Sequence, residues 1–180
     1  MARIKELEYG EMAPDQQALH DEILSGPRDT IVGPMHVWFR SPELGSLMQK
    51  LGAYCRYYTS VPARLSELTI ITVAQYWRQT VEWTEHKDIA FESGISRSII
   101  DAIERGETPN FEKADEEIVH RLTSEISATR YLSDSTYQEA LEQFGEKTLF
   151  ELTSIIGYYT SLAIQMNCFE IQAPDCRDLF

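Results

Sequence analysis

The chain is poor in the residues that would make redox or secreted chemistry easy. It has three cysteines, Cys55, Cys168 and Cys176, an odd set with neither C-x-x-C nor zinc spacing. That excludes a disulfide framework and a thiolate metal site. Cys55 and Cys168 sit in apolar helical context, where a free thiol packs as a small hydrophobe. Positive charge is also scarce, with 16 Lys and Arg against 29 Asp and Glu and a formal net charge of −13. Such a field opposes phosphate backbones and anionic membranes, so no nucleic-acid partner is expected. An anionic small molecule stays open, because a pocket can differ locally from the global field. No apolar run approaches the roughly 20 residues that span a bilayer. The first residues, Met-Ala-Arg-Ile-Lys-Glu-Leu-Glu, lack the apolar core of a signal peptide. No membrane association and a cytoplasmic location are the expectations. Repeats, low-complexity tracts and alternating strand patterns are missing too, which leaves one all-α domain over residues 1–180.

What is present is helical punctuation. Pro14 to Leu24 reads as a helix closed by Gly26-Pro27. Arg28 to Arg40, with Gly33-Pro34, Met35, Trp38 and Phe39, reads as an ordered loop or short helix. Ser41-Pro42-Glu43 is a helix start with cap, first-turn proline and dipole-matching acid, leading into Leu44, Leu47, Met48 and Leu51. Pro62 opens a nearly continuous apolar helix to Trp77, expected at the fold's centre or in a subunit interface. Thr80 to Ser93 stops at Gly94, and Ser96 caps a short helix that stops at Gly106. Asp115 to Thr129, Ser133 to Phe144 and Leu149 to Phe169 complete about seven to eight helices. The apolar helices at 65–77 and 149–169 carry more apolar surface than a small helical monomer buries, which points to a homo-oligomer.

Glu82 and His86 are four apart and share a helix face, the spacing at which a carboxylate orients and tunes an imidazole. An ordinary surface pair is the plain alternative, and Glu85, beside His86 in sequence, points elsewhere. Glu67 stands at the head of the apolar helix, either as a first-turn dipole partner or as a buried acid that needs company. It is 19 residues from His86, or roughly 28 Å along one straight helix, so the two meet only if the chain turns back between Trp77 and Val81. Arg64 is expected to pair with Glu67 structurally, with binding of a substrate carboxylate as the alternative. Trp83 and Tyr76 are the first choices for pocket walls, with Trp38 beside them and His36 at the entrance. His20 and His120 read as solvated surface residues. No metal or cofactor is expected.

The ordered set Arg64-x-x-Glu67-Leu68, Glu82-Trp83-x-x-His86 and Ala90-x-x-x-Gly94-Ile95-Ser96 resembles the carboxymuconolactone decarboxylase and alkylhydroperoxidase D superfamily. The core of the resemblance covers about residues 41–105. Gly33-Pro34 and Ser41-Pro42-Glu43-Leu44 are similar to the longer members. Gly157-Tyr158-Tyr159 through Asn167-x-Phe169-Glu170 is similar to their C-terminal helix, within the helices at 113–170 that pack on the core. The resemblance implies an all-helical bundle of the alkylhydroperoxidase D-like type, a site between packed helices, and trimers or hexamers. In the peroxidase branch a C-x-x-C pair precedes the histidine, and those positions here are Gln79 and Glu82. Neither can form a thiolate or disulfide, so thiol hydroperoxidase chemistry is disfavoured. The decarboxylase branch keeps a carboxylate and a histidine in this region. The implied activity is a cofactor-independent lyase or isomerase, with His86 as general acid/base, Glu82 as its partner or a second acid, and Glu67 as the orienting or relaying carboxylate. A non-catalytic ligand-binding or structural oligomer on the same fold is the alternative.

Overall fold

The computed structural model describes residues 2–27, 30–174 and 179–180. Cys176 and the first two residues of the 28–40 segment lie outside the described residues. The described chain holds eight α-helices and no strand, the expected all-α bundle. They are α1 (Pro14–Leu24), α2 (Met35–Trp38), α3 (Pro42–Tyr57), α4 (Ala63–Tyr76), α5 (Thr80–Glu92), α6 (Arg97–Glu104), α7 (Ala114–Thr129) and α8 (Asp134–Cys168). Gly145, at φ 74°, breaks helical geometry within α8, so its two halves match the two helices expected on either side of that glycine. No helix among the described residues is long and apolar enough to cross a membrane.

The centre is α4, which packs against α5, α7 and α8. All ten residues from Leu65 to Ala74 are buried, threonines included. Thr69 and Thr72 survive there because their hydroxyls donate back to the Leu65 and Leu68 carbonyls, at 2.9 and 2.7 Å. The second half of α8 buries Leu152, Ile155, Tyr159, Leu162 and Met166 against this core. The two apolar helices expected to need a partner chain therefore cover each other inside one chain.

The large exposed apolar face lies elsewhere. On α3 the leucines point outward, with Leu44, Leu47, Leu51, Tyr54 and Tyr58 all exposed. The helix buries Gly45, Gln49, Gly52 and Cys55 instead. Close approach decides this: a Cβ on Gly45 would stand 2.6 Å from Leu19 Cδ2 and 2.8 Å from Trp38 Cβ. Ser41 starts α3, but its hydroxyl accepts no capping bond, unlike Ser96, which accepts from Ile99 N at 3.4 Å.

One tight turn positions the site. Between α4 and α5 the Gln79 N–H donates to the Ala74 carbonyl (2.8 Å) and the Arg78 N–H to Gln75 (3.0 Å), the paired bonds of a Schellman ending. The left-handed residue is Arg78, at φ 51°. The same paired bonds end α5 at Gly94 and α6 at Gly106, where glycine takes that conformation without strain.

Candidate functional site

The reversal at Arg78 folds α5 back along α4 and brings His86 beside Glu67. His86 Nδ1 lies 2.7 Å from Glu67 Oε2, with both side chains buried. A carboxylate can only accept, so Nδ1 carries the proton and donates it into this bond. That leaves Nε2 as the second ring nitrogen. The ring is further fixed by Tyr159 of α8, edge-on with centroids 5.3 Å apart. Glu67 is thus the orienting partner of His86, and Glu82 is not.

Glu82 sits one turn before His86 and is equally buried. Neither of its carboxyl oxygens has a hydrogen-bond partner among the described residues. Burial alone pushes its pKa well above the usual glutamate range, because the charged form is desolvated and nothing nearby compensates. Glu82 is therefore a carboxyl group that keeps its proton to higher pH than an ordinary glutamate.

Glu82 and His86 line the same cavity, of about 220 Å³. Its apolar side is Val32, Met35, Leu162 and Met166, and Tyr159 closes it near the imidazole. Gly33 lets the 30–35 segment lie flat over this wall: its φ is +46°, and a Cβ there would meet Val81 Cγ1 at 3.1 Å and Met166 Sδ at 3.2 Å. Arg56, Tyr57 and Glu85 also line it. The size is below the 300–1,000 Å³ usual for drug-sized ligands, which suits a small metabolite.

None of the four expected wall residues lines this cavity. Tyr76 is half exposed on a different groove, with Trp77, Ile126 and Arg130. Trp83 is wholly buried and packs edge-on against Phe180, at 5.4 Å. Its neighbour Glu82 faces the cavity, and consecutive helical residues point about 100° apart, so Trp83 faces away. Trp38 is held in the core by a 3.0 Å bond from Nε1 to Gln165 Oε1. His36 follows the lining residues Pro34 and Met35 on α2 but does not join them. The residues that sequence reasoning passed over are Arg56 and the Tyr159, Leu162 and Met166 face of α8. The spacing of the last three (three, then four) was the available signal.

Arg64 does not reach Glu67. It turns to α7, pairing with Asp115 at 2.6 Å and with Glu116. His20 is partly buried between the Tyr9 and Phe39 rings, with centroids at 4.8 and 6.2 Å. His120 is half-buried against Phe111, and burial pushes its pKa down to about 4. Both histidines were expected in solvent, but the aromatic neighbours that shelter them are distant in sequence.

Gln79 is fully buried and structural: its Oε1 accepts from Val81 N at 2.6 Å, while Nε2 donates to Asn167 Oδ1 and the Ile171 carbonyl. Asn167 in turn donates to the Trp77 carbonyl at 2.8 Å, so the α4–α5 turn is clasped to the end of α8. Cys55 and Cys168 do not line the cavity. Among the described residues no three His, Cys, Asp or Glu side chains are grouped to hold a metal ion. Compared with known proteins, the chain matches no family model and no curated sequence.

Proposed function

We propose that the cavity is the active site of a cofactor-independent acid/base enzyme, a lyase or isomerase moving protons at carbon in a small carboxylate- or lactone-type substrate. On this reading the chain is a cytoplasmic relative of the carboxymuconolactone decarboxylases, in the branch without redox cysteines. One observation carries it: an oriented imidazole and an unpartnered, proton-retaining carboxyl face the same small cavity. Two titratable groups in contrasting environments make a matched base and acid.

The roles follow from which atoms are engaged. His86 Nδ1 is committed to Glu67, so Nε2 takes a proton from substrate carbon, and Glu67 stabilises the imidazolium that forms. Glu82 is the acid that delivers a proton. In an isomerisation His86 deprotonates one carbon and Glu82 protonates the other end of the allylic system; water restores both groups. In a decarboxylation the carbon–carbon bond to the carboxylate breaks, carbon dioxide leaves, and the electron pair stays as an enolate that Glu82 protonates. Apolar walls exclude water and keep that enolate from competing proton donors. Glu82→Gln and His86→Ala should each remove turnover of keto acids or lactones while the helical circular dichroism persists. Unchanged turnover in both variants sinks the proposal.

A second reading is a non-catalytic ligand-binding or structural oligomer, favoured by the exposed stripe on α3. Leu44, Leu47, Leu51, Tyr54 and Tyr58 recur at three and four residues, the spacing of a helix-pairing seam. On this reading a second copy of the chain covers it, within a trimer or hexamer. Light scattering at micromolar concentration decides: an oligomer supports the interface and a monomer removes it.

A further inference from the structure

We propose that Arg56 is the residue that selects the substrate, by binding the carboxylate of a small organic acid whose apolar part lies along Val32, Met35, Leu162 and Met166. This rests on the cavity being the binding site, but it concerns recognition and not turnover.

Arg56 ends α3 and stands on the cavity wall that also holds Glu82 and His86. Its guanidinium lies over the Tyr57 ring, 5.5 Å from the centroid, a stacking that fixes the planar fork while leaving its N–H edges for a ligand. It has no ion pair or hydrogen bond to any described residue, an unusual condition in a chain with 29 acidic side chains. Arg3, Arg64, Arg97, Arg105 and Arg121 all hold carboxylates, and Arg40 and Arg78 hold backbone carbonyls. Among the described arginines Arg130 alone shares the condition of Arg56, and it borders a different groove, without His86 or Glu82.

The acidic residues of the cavity do not claim this cation either. Glu85, exposed on the wall, makes no ion pair with it. Glu67 is occupied by His86. Burial disfavours the charged form of Glu82, which reduces its repulsion of an incoming anion. A carboxylate is the planar, two-oxygen partner that a guanidinium fork matches. Binding it at the α3 side places the remaining carbons over the apolar wall, within the chamber that His86 and Glu82 share.

The test measures binding of benzoate, hexanoate and their uncharged amides by calorimetry. The proteins are the wild-type chain, Arg56→Gln and Arg56→Lys. Wild-type protein should bind the carboxylates at least tenfold more tightly than the amides. Arg56→Gln should remove that preference, weakening carboxylate binding about 10- to 100-fold and leaving the amides unchanged. Arg56→Lys, which keeps the charge but loses the fork, should fall between them. Retained carboxylate preference in wild-type protein that turns over no keto acid or lactone keeps this proposal and discards the catalytic one. Equal binding of acids and amides by wild type, no binding of either, or an undiminished preference in Arg56→Gln overturns it.

Discussion

Arg64 and Glu67 lie one helical turn apart at the head of α4, yet they lead to two buried acid clusters of opposite character. Arg64 reaches across to α7, where Asp115 and Glu116 take its guanidinium and Lys113 adds a 3.1 Å contact to Glu116. Glu116 is as buried as Glu82, and every charge around it is answered. Glu151 on α8 is similar: Lys147 lies 2.6 Å away, and Ser60 N donates to it at 2.7 Å. Glu67 reaches instead to His86, beside which Glu82 has no partner among the described residues. A fold that satisfies its other deeply buried acids so fully, and leaves one unsatisfied at a cavity, separates stability from chemistry along a single helix.

The contrast is broken most forcefully at Arg64. Arg64→Ala leaves Glu116 buried with one exposed lysine, so unfolding in urea should show a loss of about 3–5 kcal/mol. Turnover per folded molecule should stay near wild type, since Arg64 lies outside the cavity. A loss below about 1 kcal/mol would mean that the network contributes little and that the two clusters differ less than their contacts indicate.

Glu67→Gln probes the other cluster with almost no change in shape. The amide can either donate to or accept from Nδ1, so the imidazole is no longer held in one tautomer, and the imidazolium loses its counter-charge. We expect kcat to fall about 100-fold with KM little altered. A loss of stability with kcat near wild type would reduce Glu67 to a packing residue.

Much of this was legible in the sequence wherever a residue declares its backbone. Gly94 and Gly106 stop their helices as read, Ser96 caps as read, and α1 and α6 run where proline and serine start them. The turn that creates the Glu67–His86 contact was not legible. Its left-handed residue is Arg78, and the clasp that holds it comes from Gln79, Asn167 and Ile171, some ninety residues apart in sequence. The buried face of α3 was not legible, because leucines outweigh glycines in any hydrophobic pattern, whereas close helix approach selects the glycines. The cavity walls were misjudged because Trp83 and Tyr76 are near the site along the chain, and a helix turns such neighbours away from each other. Spacing placed Glu82 and His86 on one face, but only the packing of α4 against α5 brings Glu67 to the imidazole.

The smallest expected effect is also the one that tests whether the site costs stability. Burial raises the Glu82 pKa in the folded chain above the ordinary 4.5. Between 4.5 and that raised value the native protein holds a proton that the unfolded chain has released. Stability from this group is therefore greatest below pH 4.5, declines as pH rises through the window, and levels off above the folded pKa. Glu82→Gln deletes the titration while keeping the shape. Its amide is as poorly partnered as the protonated acid, so near pH 4.5 the two proteins should unfold at similar denaturant concentrations. By pH 8 the variant should be the more stable, by about 1–3 kcal/mol, the range for an unsatisfied buried polar group. Wild-type stability that stays level with the variant from pH 4.5 to 8 would show that Glu82 ionises without penalty. It would then be an ordinary carboxylate, with no more claim to catalysis than Glu116. A gap that opens with pH would mean that the chain keeps a destabilising acid where an amide would serve the fold better, and the cavity beside it is the reason to keep it.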